Sequence, residues 1–229
     1  MKIIQITFPQ NREEKIKILE QYEMRVYSDA YDFNYFEERP EEKDYLLRDI
    51  IKSQYGLLLE IDNQIIGFLN YDFVSDNNLT ILYIREICIL RKYQGRGYSK
   101  LLREEIFKLY DPDILYGEAQ NPISVKSRDI VANEHGYLTY WAEEPVRSTY
   151  LQNAKIPKIS KRCVELFDPE NANSYMDGVK EYTIFQSSPS DQPSNILELK
   201  KIQGKIQRMS KIKYKSAFGV LLSIKNDLL

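Results

Sequence analysis

The chain has 229 residues, of which 43% are hydrophobic and 29% charged, with 32 Lys and Arg against 34 Asp and Glu. This length fits one large domain or one domain with an appendage, and the apolar fraction supports a folded core, which excludes a disordered chain. The formal net charge of −2 argues against a dedicated nucleic-acid-binding protein, for which a clearly basic domain is expected.

The residues that usually bind metals are scarce. Cys88 and Cys163 lie 75 positions apart without a CxxC motif, and His135 is the only histidine, so we expect no metal site. The apolar run at the N-terminus is about six residues long, which is too short for a signal peptide. No segment approaches the roughly 20 apolar residues of a membrane span. We therefore expect a cytoplasmic protein that has no membrane partner.

The first part of the chain predicts a strand and two helices. An apolar run over 2–8 predicts the strand. Asn11 followed three residues later by Glu14 matches a capping box and predicts the start of a helix. A further helix is expected after Pro40, and Gly56 is expected to end it.

A meander of three strands follows. The strands are predicted over 56–61, 64–74 and 79–90, and Asp62–Asn63 has the composition of a two-residue hairpin turn. Alternation along the third strand places Glu86 on one face with apolar side chains. The apolar members of that face are Leu82, Ile84, Cys88 and Leu90.

After the meander, helices alternate with strands. A helix is predicted after Ser99, with an apolar stripe of Leu101, Leu102, Ile106 and Leu109. The next predicted elements are a strand over 114–119, a helix over 124–134 and a strand over 137–141, and 161–167 could form a closing strand. This order predicts an α/β (α+β) fold with a mixed, mainly antiparallel sheet flanked by helices.

The last third of the chain differs in charge. Residues 150–229 hold 13 Lys and Arg against 8 Asp and Glu, a net charge of +5, whereas 1–149 carry −7. A polar stretch over 171–194 resembles a linker, and a helix over 195–209 and an apolar strand over 217–224 are predicted after it. We divide the chain into a domain at 1–167 and a C-terminal extension at 168–229, which we expect to pack on the core or on a second subunit.

A glycine-containing turn, Gln94-Gly95-Arg96-Gly97-Tyr98-Ser99, joins the meander to the next helix. Two glycines let backbone N–H groups approach a ligand, and the helix N-terminus adds unpaired donors and the positive end of its dipole. Such a turn suits a pyrophosphate. It is not the GxGxxG fingerprint, because Lys100 stands at the third glycine position, and the GxxxxGK[ST] motif is absent. The alternative is a plain strand-to-helix turn that needs small residues.

The run LYIREICILRKYQGRGYSKLL resembles the acetyl-CoA signature of the GNAT superfamily of N-acetyltransferases, [RQ]-x-x-G-x-[GA]. Gln94, Gly97 and Ser99 occupy the three defining positions, and Ser99 replaces the usual Gly or Ala. The order of elements resembles the family over roughly residues 1–145, including a later Asn-containing loop and the Gly136–Tyr137 pair.

This resemblance implies where acetyl-CoA binds. The pantetheine arm would pair with backbone groups on the third strand of the meander, and the N–H groups of the glycine turn would hold the pyrophosphate. The residues so implied are Cys88, Ile89, Gln94, Gly95, Arg96, Gly97, Tyr98, Ser99 and Asn121. Arg96 could equally be a solvated turn residue, and Asn121 a turn former before Pro122.

Acetyl transfer to an amine requires a proton acceptor, and Glu86 is the candidate base. It is the lone acid in an apolar set, where burial would raise its pKa, and the family often has an acid at this position. The alternative is that Glu86 pairs with Arg85 or with a neighbouring strand. The family's usual Tyr acid is replaced by Ala132, and His135 is expected to cap a helix.

The sequence thus predicts an N-acetyltransferase that moves an acetyl group from acetyl-CoA directly to a primary amine in a ternary complex. The sequence leaves open which amine is acetylated and whether the protein forms a homodimer. One alternative is a CoA-binding regulatory module without transferase activity. Another is an interaction protein that uses the basic C-terminal tail. Nucleic acid is not expected as a partner.

Overall fold

The fold is known from a computed structural model that describes residues 1–31, 51–119, 122–147, 149–181, 197–212 and 217–229. They divide into a first unit, residues 1–74 and 82–111, and a second unit, residues 75–81 and 112–229. In chain order the elements are β1 (Lys2–Thr7), α1 (Arg12–Tyr22), α2 (Met24–Tyr31), β2 (Tyr55–Ile61), β3 (Gln64–Asp76), β4 (Leu79–Ile89), α3 (Tyr98–Leu109), β5 (Ile114–Ala119), α4 (Pro122–Glu134), β6 (Tyr137–Trp141), β7 (Glu144–Pro145), α5 (Ile156–Phe167), β8 (Val179–Glu181), α6 (Leu197–Ile212) and β9 (Ala217–Lys225).

The first unit is built on the predicted meander. Strands β1, β2, β3 and β4 lie side by side in that order, and β2 is antiparallel to both β1 and β3. Asp62 and Asn63 have left-handed φ values of 50° and 59°, the backbone geometry that a two-residue type I′ hairpin needs. The predicted hairpin turn is therefore confirmed.

Helix α1 begins at the predicted cap. The Oδ1 atom of Asn11 accepts hydrogen bonds from the N–H groups of Glu13, at 2.9 Å, and Glu14, at 3.1 Å. The helix ends one turn after the buried Leu19, and Glu23 separates it from α2. The N–H of Glu23 still donates to the Leu19 carbonyl, at 2.8 Å, so the two helices follow each other without a loop.

The helix predicted between Pro40 and Gly56 falls mostly on 32–50, which lie outside the described residues. Gly56 itself lies in β2, opposite Asn70 of β3, so the expectation that it ends a helix is wrong. Its position has a packing reason. A Cβ added there would lie 2.9 Å from the Oδ1 atom of Asn70, so the glycine leaves room for that buried amide.

The apolar face of α3 is rotated relative to the predicted stripe. Leu102 and Ile106 are buried as predicted, but Leu109 is 39% exposed. Arg103 and Phe107, each one position after a buried aliphatic residue, are buried instead. A helix has 3.6 residues per turn, so residues adjacent in sequence to Leu102 and Ile106 can share their buried face. In α3, packing buries Arg103 and Phe107 and leaves Leu109 exposed.

The sheet of the second unit contains the C-terminal strand. Its order is β5–β9–β6–β7, and β8 pairs with β9 as well. Strand β9 is antiparallel to β5 and to β6, with Leu221 opposite Gly117 and Leu222 opposite Tyr140. The strand predicted over 217–224 is thus confirmed as an interior strand. The division of the chain at residue 167 stays a prediction.

Trp141 lies at the centre of the second unit's core. Its side chain is fully buried, and its Nε1 donates to the Ala119 carbonyl at 3.0 Å. Helix α6 contributes Leu199, Ile202 and Ile206 to the same cluster. Burying one large apolar side chain stabilises a fold by about 1.5–3 kcal/mol. These apolar residues of the extension are therefore core residues of this unit.

The strand suggested over 161–167 is wrong, because this segment belongs to α5. Ile156, Ser160, Cys163 and Val164 are buried, and their spacing of three to four residues is that of a helix face. The short apolar run Cys163–Val164 fits the periodicity of a strand as well as that of a helix. The buried Ile156 and Ser160 before it have helical spacing, which decides for the helix.

Strands and helices together give the mixed α/β class that the order of elements predicts. Among the helices in the described ranges, none has the length and apolar character needed to cross a membrane.

Replacing Gly219 with Val is expected to destabilise the second unit. A Cβ there would clash with the Trp141 indole nitrogen and lie 2.6 Å from Cδ1 of Ile206, so the core must shift. Overpacking of this kind costs roughly 1–3 kcal/mol of unfolding free energy, measurable by urea denaturation. Asn226→Val, at an exposed position after β9, is the control and should change stability by less than about 0.5 kcal/mol. Equal stability of Gly219→Val and the wild type would contradict this packing.

Candidate cofactor and active site

The end of β4 is fixed to its neighbours by backbone hydrogen bonds. The N–H of Leu90 donates to the Ile66 carbonyl of β3 at 2.9 Å, and the N–H of Arg91 donates to the carboxylate of Asp29 on α2 at 2.6 Å. A short 3₁₀ turn, Arg91–Tyr93, then redirects the chain. The predicted glycine turn therefore starts from an anchored point in the first unit.

The glycine turn has the open geometry that the sequence predicts. Gly95 and Gly97 have φ values of 73° and 82°, in the left-handed region that favours glycine. A Cβ built on either residue meets nothing within 4 Å, so both face open space. Gly97 is the N-cap of α3, a helix of 12 residues, and the first N–H groups of a helix have no partner within it. The turn thus presents backbone donors at an open surface.

The side chain of Gln94 holds the turn against the strand. Its Nε2 donates to the carbonyl of Ile89 at 2.9 Å, across five positions of the chain. The side-chain amide thus fixes the geometry of the turn. Both residues were predicted to contact the cofactor, and this contact stays a prediction.

Aromatic and basic side chains surround the turn. The Tyr93 ring lies under Lys92 Nζ, 4.9 Å from the ring centroid, and under the Arg96 guanidinium, at 5.8 Å. The Tyr98 ring meets the Tyr93 ring edge-on, with centroids 6.0 Å apart. Lys92 and Arg96 are exposed. The open side of the turn is therefore positively charged and suited to an anionic ligand such as a pyrophosphate.

Glu86 lies near the end of β4 and is half-buried. Its Oε1 accepts hydrogen bonds from the Ile87 N–H, at 3.1 Å, and from the Cys88 thiol, at 3.6 Å. Arg85, the alternative partner predicted for Glu86, forms a buried ion pair with Asp72 of β3. A carboxylate that is partly exposed can still accept a proton.

Cys88 is a protonated thiol in this setting. Burial raises its pKa well above the ordinary value of 9.0, and the negative charge of Glu86 adds to the effect. A thiolate is the nucleophilic form of cysteine, so Cys88 is no nucleophile at neutral pH. The cysteines of the chain are free, and both are buried.

Glu23 is a residue that the sequence analysis missed. Its side chain is fully buried, and its Oε2 accepts a hydrogen bond from Nδ2 of Asn70 at 2.7 Å. Burial raises the pKa of Glu23 to about 8; the Asn70 hydrogen bond lowers it, and the charge of Glu86 raises it further. The sequence does contain a signal for this burial. Glu23 follows Leu19 by four positions, so it lies on the apolar face of α1 that Leu19 belongs to.

Three further residues of the sequence analysis lie elsewhere. Asn121 falls outside the described residues. Ala132, at the position of the family's usual Tyr, is fully buried in α4 of the second unit. The N–H of His135 donates to the Ala132 carbonyl at 3.1 Å, at the end of the same helix. Within the described ranges, His, Cys, Asp and Glu form no group of three or more that could hold a metal ion.

Residues 22–116 match the acetyltransferase (GNAT) family, and this stretch contains the whole glycine turn, Glu86 and Glu23. The resemblance seen in the glycine turn is thereby confirmed, and the match supports acetyl transfer as the class of activity. No curated protein matches the chain significantly.

Several solved acetyltransferase structures are similar to this chain. An aminoglycoside acetyltransferase from an uncultured soil metagenomic sample, in complex with sisomicin, is 14% identical over 58% of this chain and 85% of its own, with a TM-score of 0.40. A GNAT-family acetyltransferase from Bacillus cereus is 17% identical over 61% and 85%, with a TM-score of 0.39. A chain of the NatC complex bound to Gag peptide and CoA is 18% identical over 61% and 87%, with a TM-score of 0.34. The resemblance to the family rests on the match over 22–116.

Replacing Glu23 with Gln should change how stability depends on pH. With its pKa raised from 4.5 to about 8, folded Glu23 retains a proton that the unfolded chain has lost. Its contribution to stability is therefore complete below about pH 4.5 and is lost as pH rises through about 8. Each unit of pKa shift corresponds to ~1.4 kcal/mol of unfolding free energy. Glu23→Gln has no such proton to lose, so its stability should fall less than that of the wild type between about pH 4.5 and pH 8.

Urea denaturation across the same pH window measures this effect. Glu20→Gln is the matched control, because Glu20 is an exposed carboxyl on α1. Its stability curve should run parallel to that of the wild type. A curve for Glu23→Gln that also runs parallel to the wild type would show that the pKa of Glu23 is not raised.

Proposed function

We propose that the protein is an N-acetyltransferase that moves an acetyl group from acetyl-CoA to a primary amine, directly and within a ternary complex. The observation that carries this proposal is the match over 22–116 to the GNAT family, because the matched stretch contains an open glycine turn and a half-buried acid. The turn suits the binding of the donor, and the acid suits the removal of a proton from the acceptor.

The residues around the turn fit acetyl-CoA. Gly95 and Gly97 leave open space above backbone donors, and the N-terminus of α3 adds further N–H groups for the pyrophosphate. Arg96 and Lys92 supply positive charge on the same surface. When bound, acetyl-CoA supplies an activated acyl group as a thioester.

Glu86 is assigned the role of general base. An amine attacks only with a free lone pair, so its ammonium form must first lose a proton, and Glu86 accepts this proton directly or through water. The new C–N bond then replaces the C–S bond, and the electron pair leaves on the thiolate sulfur. No acid is assigned to the thiolate, since Ala132 stands where the resemblance would place a Tyr.

Ala132 also favours a second candidate function. A buried alanine cannot donate a proton, so the domain could bind CoA as a regulatory module without transferase activity. A screen of primary amines that detects free CoA separates the two functions. Turnover with any amine supports the transferase, and tight binding of acetyl-CoA without turnover supports the module.

The first test concerns the donor site. Acetyl-CoA should raise the melting temperature of the wild type, because a ligand that binds the folded state stabilises it. Gly97→Val should abolish this shift, since the new side chain would occupy the open space at the turn. Gly136→Val is the matched control, because Gly136 also has open space and its φ is 83°, close to that of Gly97. An equal shift in all three proteins would show that the donor binds elsewhere.

The second test concerns the base. Glu86→Gln keeps the shape of the side chain but removes the proton acceptor, so turnover should fall by roughly 10²–10⁴ at neutral pH. The thermal shift with acetyl-CoA should persist. The loss should shrink at high pH, where the amine is already deprotonated. Turnover equal to the wild type would assign the base to another group.

A further inference from the structure

The buried pair of Glu23 and Asn70 has more acceptors than donors. One hydrogen bond joins them, from Asn70 Nδ2 to Glu23 Oε2, at 2.7 Å. The remaining oxygens, Oε1 of Glu23 and Oδ1 of Asn70, are buried and have no hydrogen-bond partner among the residues that the structure describes. Both residues are fully excluded from solvent. Leaving buried acceptors without a donor is costly, so such groups call for an explanation.

A proton on the Glu23 carboxyl would correct this imbalance. It adds one O–H donor in a place that has two unsatisfied acceptors, and it removes a buried charge. Within the described part of the chain, the titratable groups whose charges interact with Glu23 are Glu86 and Cys88 of β4, and neither supplies positive charge. Arg25, on α2, is exposed and donates to the Ile65 carbonyl at 3.3 Å. The surroundings of Glu23 therefore favour the neutral acid.

We propose that Glu23 is a positioning residue for Glu86: burial against Asn70, beside two buried acceptors that lack a donor, keeps Glu23 a neutral carboxylic acid, so that the negative charge of the two carboxyls lies on Glu86. The proposal rests on the proposed function, in which Glu86 is the base. A base must be ionised to accept a proton, and a neutral neighbour adds no negative charge that would oppose this ionisation. Two carboxyls that interact lose their protons in two separate steps, and burial places the step of Glu23 near pH 8.

Infrared spectroscopy of the full chain tests the proton directly. A protonated carboxylic acid has its own carbonyl stretch, separate from that of a carboxylate. We expect this band in the wild type at neutral pH and expect it to disappear with a midpoint near pH 8. It should be absent from Glu23→Gln and present in the control Glu20→Gln, whose altered carboxyl is exposed. If Glu23→Gln does not fold, an NMR titration of wild-type protein with ¹³C-labelled Glu replaces it. The absence of a carboxyl that titrates near pH 8 would overturn the proposal.

The link to Glu86 has a separate test. Glu86→Gln removes the negative charge that opposes ionisation of Glu23, so the midpoint of the band should move down by roughly half a pH unit or more. The exposed-site control, Glu20→Gln, should leave the midpoint in place. A midpoint that does not move in Glu86→Gln would overturn the role of Glu23 towards Glu86, because the two carboxyls would then be independent.

Kinetics separate this proposal from the proposed function. With an amine found in the screen, the ratio of kcat/KM between wild type and Glu23→Gln should be constant below neutral pH and change with a midpoint near 8. A ratio that stays constant at all pH values would overturn the positioning role. If no amine is acetylated, the proposed function fails, and the spectroscopic results still decide whether Glu23 carries the proton and senses Glu86.

Discussion

The hydrogen bond from the Gln94 side chain to the Ile89 carbonyl is the contact on which the candidate site depends. It joins the end of β4 to the glycine turn, and thus sets the position of the N-terminus of α3. Close packing supports it from β3, where a Cβ on Gly67 would lie 2.9 Å from the Cys88 carbonyl oxygen. The amide of Gln94 therefore links the strand that carries Glu86 to the turn that suits a pyrophosphate. Gly67, which has no side chain, lets β3 pack closely against the same strand.

Local chemistry explains which elements the sequence could predict. The Asp62–Asn63 turn and the Asn11 cap depend on residues within four positions of each other, and both are confirmed. The prediction that Gly56 ends a helix failed because the role of this glycine is set by Asn70 on another strand. The place of β9 between β5 and β6 joins residues about 100 positions apart, which no periodicity can encode.

The candidate site divides in the same way. The glycine turn was predictable because its conformation follows from Gly95 and Gly97 themselves. Glu23 was harder to predict. Its spacing from Leu19 places it on the apolar stripe, but a glutamate in a helical pattern normally faces solvent. Its burial goes with a contact to Asn70 on β3, 47 positions away. The shared environment of Glu23 and Glu86, 63 positions apart, is a property of tertiary structure.

The position of β9 has a consequence for how the second unit folds. Ile114 pairs with Ile224, and Ala119 with Gly219, so the strand that β5 needs is made long after β5 itself. Until then the apolar strands β5 and β6 each lack a neighbour, and unpaired strands are sites of aggregation. Contacts this distant in sequence also slow folding. During synthesis, the sheet of this unit cannot be completed before β9 has been made, so the unpaired edges of β5 and β6 are exposed for the longest part of that time.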